Sequence, residues 1–114
     1  MNIVQLLGRL TKNPEVKETK NGKLVMTIRL AYDTRRQSDS SGSHSNYIQV
    51  EAWEKLAETY VTKLTKGMQV TVKGELVISR WQDGEGNLRS MPKLVASSLV
   101  ISDLKRRPDE AAAA

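Results

Sequence analysis

The sequence predicts an all-β domain with a single α-helix. Several segments alternate apolar and polar residues, which is the pattern of strands that bury one face. Residues 56–64 instead repeat apolar side chains at helical spacing. Turn signals such as Asn21-Gly22 separate the strands. Because the chain has 114 residues, it is long enough for one such domain with a buried core and too short for two.

The first part of the chain predicts two strands and a hairpin. Residues 2–10 form the first strand, and apolar side chains on both of its faces indicate burial or an interface on both sides. Asn21-Gly22 predicts a type I′ hairpin turn, in which both central residues need a positive φ. In the second strand, residues 23–33, the inward parity is apolar and Arg29 lies on the outward, polar parity.

Residues 46–53, NYIQVEAW, predict a third strand that displays aromatic rings. Its inward parity is apolar, whereas its outward parity carries Tyr47 and Trp53 among polar residues. Burial in a core does not explain rings on that side of the strand. The helix follows at once, and Gly67 marks its end.

The last part of the chain predicts two more strands. In the fourth strand, residues 68–81, Gly74 indicates a bulge or bend, while Lys73 and Trp81 share the polar parity. The fifth strand begins at residue 88, and Pro92 places that part of it at an edge or divides it in two. Five strands with the helix between strands 3 and 4 fit an OB-fold, the five-stranded Greek-key barrel.

We therefore expect residues 1–104 to form the folded domain and residues 105–114 a short disordered tail. Residues 34–45 form a Ser-rich loop with no periodicity and a basic start at Arg35 and Arg36. No apolar run approaches the roughly 20 residues of a membrane span. Since the apolar start is short and interrupted by Arg9, it predicts a strand and not a signal peptide, and we expect a cytoplasmic protein.

Composition narrows the classes of function. The formal net charge of +5 favours a polyanionic partner. Without cysteine there is no thiolate metal site, and one histidine with no acidic cluster or phosphate loop offers no metal, nucleophile or acid/base constellation. The outward acids Glu51 and Glu75 lie on different strands. We therefore predict a binding protein with no cofactor, and not an enzyme.

Five stretches of the chain resemble bacterial-type single-stranded DNA-binding proteins. They keep the family's order and spacing over residues 1–104, and they read LLGRLTKNPEV, KNGKLVMTIRLA, NYIQVEAWEKLAE, TKGMQVTVKGEL and RWQDGEGNLR. The resemblance implies an OB-fold homotetramer that wraps single-stranded DNA without strong sequence preference. It also implies a nucleoid-associated role in replication, recombination, repair or DNA uptake.

The resemblance assigns base stacking to Tyr47, Trp53 and Trp81. Arg36 stands where the family has a further stacking aromatic. Rings stack on any base while cations follow the phosphates, so such a surface binds without reading sequence. The candidate phosphate-binding cations lie on the polar parity of the strands or in loops beside it, and they are Arg29, Arg35, Arg36, Lys73, Arg80, Arg89 and Lys93.

Other interpretations remain for the same features. The three rings could instead pack beneath a loop or at a subunit contact. A cold-shock-type RNA binder would carry clustered Phe on its sheet, and Phe is absent. A protein-docking OB subunit, similar to primosome accessory proteins, is the main alternative, and the presence of all three stacking rings argues against it.

The chain departs from the family at two places. Pro92-Lys93 replaces a Thr-Glu-like pair, which adds positive charge to the last strand. Family members usually carry a long tail with an acidic, hydrophobic tip that recruits repair and replication enzymes. This chain ends in PDEAAAA, as a short tailless form or a trimmed chain would, so the resemblance does not extend to recruitment through that tip.

Overall fold

A computed structural model of the chain describes residues 1–34 and 45–102. The elements are β1 (Val4–Leu10), β2 (Glu15–Glu18), β3 (Leu24–Asp33), β4 (Ser45–Trp53), α1 (Glu54–Tyr60), β5 (Gln69–Gln82) and β6 (Leu88–Ile101). In these described residues, the predicted all-β architecture with one helix is confirmed. The predicted loop cations Arg35 and Arg36 and the predicted tail lie outside the described residues.

Five of these strands close into a ring. Their order is β1-β5-β6-β4-β3, and β3 returns to β1 where Arg9 pairs with Ala31 and Leu10 with Leu30. Neighbouring strands run antiparallel, apart from the parallel pair β4 and β6. The ring agrees with the predicted five-stranded closure.

The short strand β2 is the element that sequence reasoning did not predict. Its residues, EVKE, are all exposed, so no apolar alternation marks them. It is held by pairing with β3, from Glu15 opposite Thr27 to Glu18 opposite Leu24. Because β2 adds one strand to the count, the helix predicted between the third and fourth strands lies between β4 and β5.

The inward faces of the ring form the core. The predicted parities of the second and third strands are confirmed, because Met26, Ile28 and Val50 are each no more than 1% exposed. The helix α1 packs against this core through Ala57. Within the described part of the chain, no helix is long and apolar enough to span a membrane.

The predicted hairpin at Asn21-Gly22 forms, but its turn is not of type I′. The Gly22 N–H donates to the Thr19 carbonyl at 2.9 Å, and the Thr19 N–H donates to the Lys23 carbonyl at 2.8 Å. Gly22 has φ +81°, whereas Asn21 is not among the described residues with positive φ. The loop is therefore one residue longer than predicted, with glycine in the left-handed position that follows a tight turn.

The predicted irregularity at Gly74 is confirmed. Lys73 of β5 pairs with Ser98 of β6, but Gly74 pairs with Ala96, so Ser97 is the extra residue of a bulge. Beyond the bulge and the pairing of β6 with β4, β5 and β6 continue as a two-stranded hairpin, residues 78–92, which we call the arm.

The position of Pro92 agrees with one of its two predicted placements. It pairs with Ile78 of β5 on one side. On the other side, the parallel pairing of β6 with β4 begins only at Lys93. The missing N–H of Pro92 therefore falls at a sheet edge, where it interrupts no ladder.

Candidate nucleic-acid interface

Cross-strand pairing places several predicted site residues on one outer surface. Arg29 pairs with Gln49, and Gln49 pairs in turn with Lys93. Residues that pair side by side in a sheet point to the same side, and so do alternate residues along a strand. We call this surface the aromatic face, and it comprises Val25, Thr27, Arg29, Tyr47, Gln49, Glu51, Trp53 and Lys93.

The two rings of the aromatic face are accessible. The side chains of Tyr47 and Trp53 are 53% and 36% exposed. The Arg29 guanidinium carbon lies 4.7 Å from the centre of the Tyr47 ring, within cation–π range. A positive charge is thus already placed beside a ring that can stack on a base.

The third predicted ring, Trp81, lies on the arm and is 45% exposed. Val77 pairs with Lys93, and Trp81 shares the strand parity of Val77. The surface that begins at Lys93 therefore continues along the arm to Trp81. By contrast, the Tyr60 ring packs against the core and Tyr32 is half-buried.

Asp83 holds the turn at the end of the arm. Its Oδ1 accepts hydrogen bonds from the N–H groups of Glu85 and Asn87, both at 2.9 Å. Its Oδ2 accepts from Arg89 Nε at 3.0 Å. The Asn87 hydrogen bond, followed by the Arg89 contact, lowers the pKa of Asp83 below its usual 3.8. The predicted phosphate ligand Arg89 is therefore paired with a carboxylate.

Replacing Asp83 by asparagine is expected to lower the thermal midpoint of the protein at pH 7. A carboxyl whose pKa is lower in the folded state stabilises that state above the pKa of the unfolded chain, and loses this contribution as the pH falls through the folded-state value. The midpoints of parent and Asp83→Asn should therefore converge below pH 3.8. A gap of constant size from pH 7 to pH 2.5 in thermal unfolding would contradict this role.

Two predicted cations lie apart from the aromatic face. Lys73 pairs with Gln5 of β1 and Ser98 of β6, on the outer surface of those strands. Arg80 is next to Trp81 in the chain and therefore points to the opposite side of the arm. Both are exposed. The outer surface of a closed ring of strands curves around the whole domain. Two side chains that both point outward therefore do not meet when their strands are far apart in the ring.

A cleft beside Tyr47 was not predicted from the sequence. It has a volume of about 300 Å³, and its lining includes Lys12, Glu15, Arg29, Met91 and Pro92. Lys12 was not predicted as a site residue because it lies in a turn, where strand parity does not apply. Its Nζ lies 3.3 Å from Glu15 Oε2, so the two side chains form an ion pair. Within residues 1–34 and 45–102, no group of three or more acidic or histidine side chains is placed to hold a metal ion.

Comparison with known proteins agrees with this geometry. Residues 1–102 match the model of the single-strand binding protein family. A single-stranded DNA-binding protein of Thermotoga maritima is 33% identical over 111 residues, which cover 96% of this chain and 77% of the relative. Single-stranded DNA-binding protein 1 of Clostridium acetobutylicum is 31% identical over 109 residues, covering 93% of this chain and 97% of the relative. The chain therefore belongs to the single-strand binding protein family, whose OB-fold agrees with the ring of strands and the helix α1.

Proposed function

We propose that this chain binds single-stranded DNA without strong sequence preference, by stacking bases on Tyr47, Trp53 and Trp81. The observation that carries the proposal is the exposure of all three rings along the aromatic face and the arm. Every base offers a π face, so stacking on these rings is tolerant of sequence. Family membership and the names of the relatives support the same ligand.

The exposed rings favour single-stranded DNA over duplex DNA because they need unpaired bases. In a duplex the bases are stacked on each other and present only their edges to the grooves, whereas an exposed ring needs a free base face. The bound protein protects and organises single strands during DNA replication, recombination, repair or uptake. It does so in the cytoplasm and as a binding protein, without catalysis.

Cations supply the remaining contacts by pairing with phosphates. Arg29 lies beside Tyr47, so a phosphate next to a base stacked there is within its reach. Arg80 is exposed on the opposite side of the arm and contacts a strand that continues around the domain. Arg35 and Arg36 remain candidates in residues outside the described structure. Arg89 contributes less, because Asp83 already neutralises it.

Binding of fluorescently labelled oligothymidine, followed by anisotropy, tests this function. We expect saturable binding of the single strand and much weaker binding of a duplex of equal length. The logarithm of the affinity should fall with the logarithm of salt concentration, with a slope of about −0.7 for each phosphate contacted. Equal affinity for single strand and duplex would contradict the proposal.

We also propose that the chain assembles as a homotetramer. Leu7 of β1 pairs with Thr71 of β5, which pairs with Val100 of β6. Leu7 and Val100 are 53% and 59% exposed, and Ile3, 58% exposed, has the parity of Leu7. We call Ile3, Leu7, Thr71 and Val100 the apolar row. Gln5 separates Ile3 from Leu7, but Leu7 and Val100 flank Thr71 on neighbouring strands. Exposed apolar side chains grouped in this way are typical of a protein contact, and this group lies apart from the aromatic face.

The open edge of β1 supports the same proposal. Among the described pairings, β1 meets β3 only at Arg9 and Leu10. Residues 4–8 therefore pair with β5 along one edge and leave the other edge available to a strand of a second copy.

Val100→Glu is expected to reduce the assembled mass, because it places a carboxylate in the apolar row. Static light scattering should give a tetramer for the parent and a smaller species for the variant. Val16→Glu makes the same substitution at an exposed position of β2, outside the apolar row, and should leave the mass unchanged. A monomer mass for the parent would contradict the assembly.

A further inference from the structure

Glu51 lies on the aromatic face and contacts two of the predicted binding residues. Its Oε1 accepts a hydrogen bond from Trp53 Nε1 at 3.3 Å, and its Oε2 pairs with Lys93 Nζ at 3.0 Å. The side chains of Glu51 and Lys93 are only 14% and 22% exposed, so water shields this ion pair weakly. A carboxylate in such a place is unexpected on a surface that binds a polyanion.

We propose that Glu51 is a positioning residue, which orients the Trp53 indole for base stacking and withdraws Lys93 from the phosphates. This inference rests on the proposed function, because it describes how two residues of that binding surface are held. It also gives Lys93 a different role from the phosphate contact that the sequence predicted.

The position of Trp53 explains why its ring needs such support. Trp53 is the last residue of β4, and Glu54, with φ +54°, turns the chain away into α1. On the aromatic face, β4 therefore places a neighbour on only one side of the Trp53 ring, and that neighbour is Glu51. A ring fixed in place before DNA arrives does not lose conformational freedom on binding, which favours affinity.

The negative charge of Glu51 explains why Lys93 stays paired with it and does not move to a phosphate. If Lys93 moved to a phosphate, the largely buried carboxylate of Glu51 would lose its partner next to a polyanion, which is unfavourable. Lys93 therefore neutralises Glu51, and the pair contributes no net charge to the surface. Because Lys93 displaces no counterion from DNA in this arrangement, it does not add to the salt dependence of binding.

Glu51→Gln tests the role of the charge. Glutamine still accepts the Trp53 hydrogen bond but releases Lys93, so the slope of log affinity against log salt should become steeper by about 0.7. The double variant Glu51→Gln/Lys93→Gln should return the slope to the parent value. The ligand for both measurements is labelled oligothymidine.

Glu51→Ala tests the role of the hydrogen bond. In a Trp81→Phe background, Trp53 is the one tryptophan and reports its own mobility. The steady-state fluorescence anisotropy of Trp53 in the free protein should fall in Glu51→Ala and remain near the parent value in Glu51→Gln. We expect Glu51→Ala to bind oligothymidine about 2-fold to 12-fold more weakly than Glu51→Gln, since the ring must then be ordered on binding.

A structural role alone would give another result. If both variants lower the thermal midpoint but keep the parent's salt slope and Trp53 anisotropy, Glu51 only joins β4 to β6 and the inference is wrong. If the parent itself does not bind oligothymidine, the proposed function is wrong. In that case, the fluorescence anisotropy of Trp53 in the free Glu51→Ala and Glu51→Gln variants still shows whether Glu51 orients the ring.

Discussion

Trp53→Ala and Trp81→Ala are each expected to weaken the binding of single-stranded DNA by about 1–3 kcal/mol, or about 5-fold to 150-fold. Each substitution removes a stacking platform for one base. The two side chains are 36% and 45% exposed and do not belong to the core, so the thermal midpoint should change little. Titration of labelled oligothymidine at constant salt measures the effect.

Leu88→Ala is the matched control for the arm. Leu88 is 74% exposed and pairs with Gln82, which has the opposite parity to Trp81 on β5. It therefore lies on the other side of the arm, and its truncation should leave the affinity for DNA unchanged. Parent affinity in both tryptophan variants would show that the rings serve another purpose, such as a protein contact.

Gly74→Ala is expected to destabilise the fold more than the substitution of an exposed residue such as Trp53 or Trp81. A Cβ at this position would lie 2.0 Å from the Val95 carbonyl oxygen and 2.8 Å from the Ala96 Cα. These are backbone atoms, which can move only by breaking the pairing of β5 with β6 at the bulge. We expect a loss of about 3 kcal/mol in the free energy of unfolding, at the upper end of the usual cost of overpacking.

Gly84→Ala is the control for this second prediction. Gly84 lies in the turn of the arm, and a Cβ there would meet nothing within 4 Å. Urea unfolding should therefore separate the two alanine variants, with Gly84→Ala close to the parent. Equal stability of Gly74→Ala and the parent would contradict the close approach of the Val95 and Ala96 backbone to Gly74.

The parts of the fold that could be predicted from sequence were those with a regular local pattern. The two-residue period of β3 and β4 correctly separated buried Ile28 and Val50 from exposed Arg29 and Tyr47. Gly74 indicated the bulge because a glycine within a strand often marks a close approach of two backbones. By contrast, β2 lacks an apolar residue pattern, and the Asn21-Gly22 pair does not itself fix the number of residues in its loop.

The candidate site was less predictable because it depends on which strands become neighbours. The contact of Glu51 with Lys93 requires the parallel pairing of β4 with β6, and these strands are far apart in the sequence. The same is true of Lys73, whose neighbours on β1 and β6 place it beside the apolar row. Parity identifies the side of a strand, whereas only the strand order of the ring shows which outward side chains meet.

Intrinsic tryptophan fluorescence, measured while the protein is titrated with oligothymidine, tests the central claim most directly. The protein has two tryptophans, Trp53 and Trp81, and both are assigned to base stacking. We predict strong, saturable quenching by the single strand and little change with a duplex of the same length. Unchanged fluorescence on saturation with the single strand, or equal quenching by both ligands, would contradict the assignment of these rings to unpaired bases.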